Sequence, residues 1–538
     1  MHLFLIVFWS LITMKKVLIG STIAACTALA LATPYYLGGQ AQKSLEIQHQ
    51  ALANTFFFDV VSHNYDRGWF SSTETTVIRF HPTVLTNISA QLPDNIKTIL
   101  SQPITLVNHV KHQPFANGIK PVRAVVDTDV QYEASVQKTL ARFFGEQVPL
   151  RLHNVIELDG SGTLNVQFAP IEYEELSGIK LNWQGMTGDV RYDEHFNQYR
   201  TQFAMPALNA ILADKGSLQL TNLQFQSETS LASNGKTTLG SSTTTLDKAE
   251  FVWKDQVNYN VRLNELINMV SDLQIGAFIN PNGTIAPSHI SVDKFSYATK
   301  TSEPETGFIQ SEGQFTFAQL NYGDKKYGPL NIDVAAEHLH ADSLNALKTR
   351  WQQIAASKPA EQEYQQQLLA AVRNEGVGIF TNNPVFKLKA FDLTTPTGHI
   401  KAAGSLHLNN MQASDLNDLS PFVAKMKAQL DLDISQNLIE DFAVQQTRGL
   451  FTVEDATSEQ EQQEISDTIK MLTVQTLDTM TNDGYIKREN GAVQTQLNIA
   501  DNKITLNGKP FQTQSDEDLF AGIEADDEVQ AASAASAP

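Results

Sequence analysis

The chain has 538 residues, 42% hydrophobic and 18% charged, a balance that fits folded globular sequence and is long enough for more than one core. A formal net charge of −20 excludes nucleic acid and anionic lipid surfaces as partners held by bulk electrostatics, because those surfaces attract Lys and Arg. The single cysteine, Cys26, excludes an intrachain disulfide, so stability rests on burial.

Leu3 to Ile12 is an apolar run of ten residues, too short to span a bilayer. Lys15 and Lys16 would be costly inside hydrocarbon next to it, so residues 1–13 read as an N-terminal extension and Met14 as the working start. From Val17 to Thr33 there is no charge, which approaches the roughly 17 residues at the short end of spanning length. Lys15 and Lys16 on one flank and Tyr35 and Tyr36 on the other match positive-inside orientation with interfacial aromatics. Residues 14–36 are therefore expected to be a single transmembrane anchor with the bulk of the chain exported. Two other fates compete: cleavage after Ala30-Leu31-Ala32, and lipidation at Cys26, where apolar residues continue instead of turning polar.

Residues 41–54 predict a short helix leaving the membrane. Phe56 to Tyr65 and Thr73 to Phe80, joined through Asp66-Arg67-Gly68, predict a β-hairpin. From about Pro103 to Phe317, short alternating runs end in Gly, Asn or Asp, as in Val155–Gly160, Ile179–Trp183, Leu218–Leu223 and Phe251–Trp253. This grammar predicts an antiparallel sheet with one wet face. Helical interruptions are expected at 206–213, where Pro206 suits a first turn, at 264–278, at 341–375 as a pair broken by Lys358-Pro359, at 414–428 and at 457–482. Strands return in a hairpin over 385–393 and 399–408 and in a terminal meander over 485–509. After Lys509 the residues Asp516, Glu517, Asp518, Glu524, Asp526, Asp527 and Glu528 make 513–538 an acidic low-complexity tail. The expected fold class is α+β: a large curved, mainly antiparallel sheet assembly over 41–512 with several amphipathic helices, plus one N-terminal membrane helix.

The corner Asn64-Tyr65-Asp66-Arg67-Gly68-Trp69-Phe70-Ser71-Ser72, the stretch Asn108 to Phe115 containing His112 and Pro114, and the closing Leu497 to Gly508 resemble the YdgA family of bacterial envelope proteins over nearly the full length. Gln113 stands where that family has glycine in a His-Gly-Pro turn, so the backbone is expected to differ there, since glycine alone takes φ > 0 freely. The resemblance implies a Gram-negative inner-membrane protein, single-pass, with its body in the periplasm. It implies no catalytic residues.

Arg67 beside Gly68 would suit a clamp on a carboxylate or phosphate. The plainer reading is a hairpin corner in which Arg67 satisfies carbonyls and Trp69 and Phe70 pack the core. His109 and His112, and Glu337 with His338 and His340, are too few to complete a zinc site, which needs three or four converging ligands. Asn234 to Thr238 looks like the end of a P-loop, but Ser230 holds the leading glycine's place, so it reads as a turn. No metal or cofactor is expected, and the candidate motif residues are Tyr65, Arg67, Gly68, Phe70, Ser71, Ser72, His112 and Pro114.

The leading expectation is a non-enzymatic envelope protein acting as a scaffold or binding surface, with an envelope protein or a second copy as partner. The alternative is a carrier whose apolar sheet face holds a lipid or other apolar ligand. An uncharacterised hydrolase comes third.

Overall fold

The structure is a computed structural model and describes residues 31–50, 58–80, 100–253, 288–357, 361–417, 419–450 and 459–511. It is mostly antiparallel sheet with several helices, an α+β protein. The chain divides into two compact units, Met1–Leu231 with Thr238–Val261, and Ala232–Thr237 with Arg262–Pro538.

In the first unit, helix α1 covers residues 31–50. Six strands follow: β1 (Phe58–Arg67), β2 (Ser71–Phe80), β3 (Ile104–Lys111), β4 (Ala124–Tyr132), β5 (Leu150–Ile156) and β6 (Gly162–Phe168), with helix α2 (Ala134–Phe144) between β4 and β5. Neighbours among the six pair antiparallel in chain order, from β1–β2 to β5–β6. The sheet continues through β7 (Ile171–Glu174), β8 (Ile179–Trp183), β9 (Met186–Tyr192) and the long strands β10 (Gln198–Leu212), β11 (Gly216–Leu231) and β12 (Thr238–Trp253). β9 joins β6 to the first part of β10, while β8 pairs the second part of β10 and carries β7 on its far side.

The β1–β2 hairpin forms as expected, around a corner that needs Gly68: a Cβ there would meet the Ser71 carbonyl oxygen at 2.3 Å. Two expectations fail nearby. Residues 206–212 lie in strand β10 instead of a helix, and Ala213 follows in a turn. Pro206 falls where β10 changes partner from β9, ending at Ala204, to β8, starting at Leu208, and the β11 register also skips it, so its missing N–H breaks no ladder bond. The helix ahead of the hairpin is already formed at residue 31, ten residues before its expected start.

Along α1, Pro34, Leu37, Gly38, Ala41, Ser44 and Leu45 are buried or half-buried at helical spacing, one stripe turned to the sheet. Ala41 and Leu45 pack with Val110, Ala124, Val126 and Ile156 into the core, with Tyr65 against its edge. Burying a leucine of this kind contributes roughly 2 kcal/mol. Among the described residues no helix is long and apolar enough to cross a membrane. The expected anchor residues Lys15, Lys16, Val17 and Cys26 lie outside the described residues, as does the helix expected at 264–278.

The second unit begins its described strands with β13 (His289–Glu305), β14 (Phe308–Phe317), β15 (Gln319–Tyr322), β16 (Lys325–Tyr327) and β17 (Leu330–His340). The expected helical pair follows as α3 (Ala341–Ser357) and α4 (Glu361–Asn374), then a short α5 (Val377–Thr381). The expected hairpin is β18 (Val385–Thr395) with β19 (Gly398–Leu408). The helix expected at 414–428 is only a 3-10 turn at Ala413–Asn417 and a short α6 (Leu419–Ala424). From Met426 the alternation of apolar and polar residues wins, and β20 (Met426–Ser435) pairs on both edges. Helices α7 (Gln436–Leu450) and α8 (Glu459–Asn482) precede the terminal strands β21 (Lys487–Glu489), β22 (Ala492–Ala500), β23 (Lys503–Leu506) and β24 (Lys509–Pro510). The central run of this sheet is β13–β14–β17–β18–β19–β20–β22, antiparallel throughout.

Candidate functional site

Two places concentrate unusual chemistry. The first is a row of buried polar groups under α1. On β2 the residues facing the helix are Ser72, Glu74, Thr76 and Ile78, all buried, so three of four inward positions are polar. Buried polar atoms need partners, and here α1 and the neighbouring strands supply them.

His112, fully buried after β3, bridges both elements: its Nδ1 lies 2.8 Å from the Pro34 carbonyl and its Nε2 3.0 Å from Ser72 Oγ. The Pro34 carbonyl can only accept, so Nδ1 carries the proton and Nε2 accepts from Ser72. Burial holds the imidazole below its ordinary value, outweighing the carbonyl of Pro34, and the Arg67 charge nearby adds to the effect. Arg67 donates to the Tyr35 carbonyl at 2.6 Å and its guanidinium sits 4.2 Å from the Tyr35 ring centroid. Trp69 packs on Tyr35 with ring centroids 5.1 Å apart and donates its indole N–H to the Leu31 carbonyl at 2.9 Å.

Farther along the helix, Arg123 donates to Ser44 Oγ at 2.7 Å and to the Leu158 carbonyl at 2.8 Å. Gln48 donates to the Tyr192 hydroxyl at 3.0 Å and accepts from Asn154 at 3.0 Å, while Tyr192 donates to Asn154 at 2.6 Å. Burial pushes the Tyr192 phenol up to about 12.

Glu74 is fully buried as well. Its Oε1 lies 3.2 Å from His49 Nε2 and 2.9 Å from His63 Nε2, and its Oε2 accepts from Asn108 at 2.5 Å. Asn108 is held in turn by Thr128 at 2.6 Å. Burial raises the Glu74 carboxyl, but hydrogen bonds from His49, Asn108 and His63 together with the His49 charge hold it below the ordinary value. One ligand atom from each of His49, His63 and Glu74 falls within 4.8 Å of the others, an arrangement that could hold a metal ion.

The second place is a face of the second unit's sheet. An open trough of about 660 Å³ crosses seven strands, from Tyr297 on β13 to Leu497 on β22. Its floor follows the strand register. Thr299, Gly313, Val334, Leu388, Gly404, Leu430 and Leu497 are successive cross-strand partners, and Ser311, Ala336, Phe386, Leu406 and Ala428 form a parallel row beside them. At about 4.8 Å per strand, the seven-strand row runs roughly 29 Å and the five-strand row roughly 19 Å. The opposite face is polar, with Lys401 opposite Asp433 and Asp431 opposite Gln496. One face of this sheet is thus apolar and the other wet; of its strands, β13 and β14 fall in the stretch to Phe317 where that alternation is expected.

Of the motif residues, Tyr65, Arg67, Ser72 and His112 gather against α1 or its core. The Tyr65 phenol is pushed up by burial. Gly68 makes the corner, Ser71 is exposed, and the Phe70 carbonyl accepts from the His112 amide at 3.2 Å. Trp69 and Phe70 are about half exposed, 51% and 44%, so the expected packing of both rings in the core is wrong: they lie at the surface, where Trp69 braces Tyr35. Pro114 is half-buried and its carbonyl accepts from Val122. Gln113 does not adopt positive φ, so no strain attends the loss of glycine there. Tyr35 contacts the folded body, and Tyr36 is 64% exposed.

Among the described residues the other histidines do not gather into a further group of three ligands. His109 pairs with Asp129 at 2.9 Å, and His340 with Ser343 at 2.9 Å, while His338 stacks on Phe308. Asn234 caps its own turn by accepting from the amides of Lys236 and Thr237, as expected of a turn. His49, His63 and Glu74 were not singled out by sequence, because a buried glutamate between strand residues reads as a solvated one.

A family model described as "Bacterial protein of unknown function (DUF945)" matches residues 14–514. The chain belongs to the DUF945 family. The match takes in both units and runs through every motif that carried the resemblance above. No curated protein and no solved structure matches the chain.

Proposed function

We propose that this DUF945 protein is a non-enzymatic, membrane-anchored protein of the bacterial envelope that holds an elongated apolar ligand, best matched by a lipid acyl chain, on the sheet face of its second unit. The observation that carries the reading is the trough, a row of apolar and small side chains in register across seven strands with a second row beside it across five. A long, narrow apolar floor without converging polar groups selects by shape and hydrophobicity, as a flexible hydrocarbon chain requires. Lys15 and Lys16 followed by the uncharged run from Val17 support a single-pass inner-membrane anchor with the body in the periplasm.

A scaffold that docks a protein partner is the second reading, favoured by exposed apolar side chains on α7 and α8: Phe442, Met471 and Leu472. A hydrolase ranks below both, since the charged residues bordering the trough, Lys387 and Glu312, alternate with the floor residues along their strands and are already paired, Lys387 with Glu337 at 2.6 Å and Glu312 with Lys389 at 3.2 Å.

The test is native mass spectrometry of the full chain released from detergent, with lipid extraction of what co-purifies. A stoichiometric lipid, lost when the trough is filled by Gly313→Phe, supports the reading. A ligand-free chain, or a lipid retained unchanged by that variant, overturns it.

A further inference from the structure

We propose that His49, His63 and Glu74 form a binding site for a divalent transition-metal ion of the zinc type, which clamps helix α1 onto the β1–β2 hairpin. The three residues come from three successive elements, His49 from α1, His63 from β1 and Glu74 from β2. His49 sits at the end of the described helix. Tyr65 on β1 is the register partner of Glu74 on β2, and His63 lies two residues from Tyr65 on the same strand, so His63 and Glu74 are diagonal neighbours on one sheet face.

Three observations point to a cation. First, Glu74 is fully buried, and among the described residues no Lys or Arg forms an ion pair with it. A buried carboxylate needs positive charge close by, and the basic groups that the described residues place at hydrogen-bond distance are the two imidazoles. Second, the Glu74 oxygen stands 3.2 Å and 2.9 Å from the two Nε2 atoms. Zinc bonds of about 2.0–2.2 Å at a tetrahedral angle place ligand atoms roughly 3.4 Å apart, so a small outward shift of each side chain accommodates the ion.

Third, the far oxygen of Glu74 is fixed by Asn108, itself fixed by Thr128, which is the outer support expected for a ligating carboxylate and leaves Oε1 to face the ion. His49 Nε2, the nitrogen that faces Glu74, also lies 2.8 Å from Thr76 Oγ1, a contact that the ion would displace, and among the described residues His49 Nδ1 is buried without a hydrogen-bond partner. Two imidazoles and one carboxylate suit zinc and its first-row neighbours; magnesium and calcium prefer all-oxygen sites. The partly exposed His63 side chain, at 29%, marks the side from which an ion and a completing water enter.

The test uses the full chain, stripped with a chelator, reloaded with zinc and desalted, with bound metal counted by mass spectrometry and unfolding followed by circular dichroism. The expected result is one zinc retained per chain and a higher melting temperature with zinc than with chelator. His63→Asn, at a partly exposed position, should keep the fold and weaken zinc binding by about tenfold or more, and Asn108→Ala should weaken it by about tenfold through the outer support. Cobalt substitution should give a visible ligand-field spectrum in the native chain that His63→Asn abolishes. Failure of the native chain to retain zinc overturns the proposal, as does retention that both His63→Asn and His49→Asn leave unchanged.

Discussion

His112 and Gly38 approach so closely that no side chain fits between them: a Cβ built on Gly38 would stand 2.7 Å from His112 Cε1 and 2.9 Å from Nδ1. In an exposed helix, replacing glycine by alanine gains about 1 kcal/mol from propensity. Here the added methyl collides with a ring pinned by the Pro34 carbonyl and Ser72, and overpacking of that kind costs about 1–3 kcal/mol. Gly38→Ala should therefore destabilise the first unit, read as a lower urea midpoint. In a His112→Ala background the same change should turn neutral or stabilising, which a double-mutant cycle measures directly.

Acid sensitivity should come in two steps with different causes. The folded state keeps His112 neutral while the unfolded chain binds its proton near the ordinary histidine value of about 6.5, so its contribution is complete above that pH and lost as pH falls through the depressed folded value. Glu74 is depressed too, so its contribution is complete above the ordinary value of about 4.3 and lost only below it. Urea midpoints measured from pH 8 down to pH 4 should decline less steeply below about pH 6.5 in His112→Asn than in the native chain. Parallel curves for the two proteins would rule the assignment out.

Arg67 is committed to α1 and is not poised as a ligand clamp. Its guanidinium spends one donor on the Tyr35 carbonyl and lies over the Tyr35 ring, and Gly39 leaves it room, with a Cβ there only 3.1 Å from Nη2. Arg67→Ala should cost about 1 kcal/mol, the size of an exposed cation–π contact with one hydrogen bond. Arg67→Lys should recover little, since an ammonium cannot stack and donate in the same plane. A thermal melt of the two variants decides this, and a melting temperature of Arg67→Lys equal to that of the native chain would refute it.

How far these relationships could be read from the sequence depends on their range. The β1–β2 hairpin was legible because its alternation and its Gly68 corner are local, and the α3–α4 pair because Lys358-Pro359 interrupts one continuous pattern. Residues 206–212 were misread because a proline-led apolar stretch fits a helix in isolation, and only the two flanking ladders of β10 decide for strand. The cluster of Glu74, His49 and His63 was invisible because it depends on α1 lying over β2, a contact no spacing rule encodes. The trough rows were hidden for the same reason, since apart from the local Leu388–Gly404 pair of the β18–β19 hairpin, Gly313, Val334, Leu388, Gly404 and Leu430 become neighbours only through register between strands that no hairpin joins.

Two glycines in the trough floor should separate ligand binding from folding. Gly404 cannot accept any side chain: a Cβ would meet the Gln429 carbonyl oxygen at 2.3 Å and force β19 away from β20. Gly404→Ala should thus destabilise the second unit by about 1–3 kcal/mol whatever the ligand. At Gly313 the nearest atom to a new Cβ is Val334 Cγ2 at 3.4 Å, which is tolerable, so a large side chain can project into the open trough. Gly313→Phe should leave the urea midpoint near the native value and abolish lipid retention, because it blocks the β13 end of a path only two rows wide. On the opposite sheet face Lys401→Ala should change neither. Loss of lipid in Gly404→Ala alone would then report unfolding, whereas loss in Gly313→Phe with native stability places the ligand on the floor between Val334 and Thr299, the register partners of Gly313 on either side.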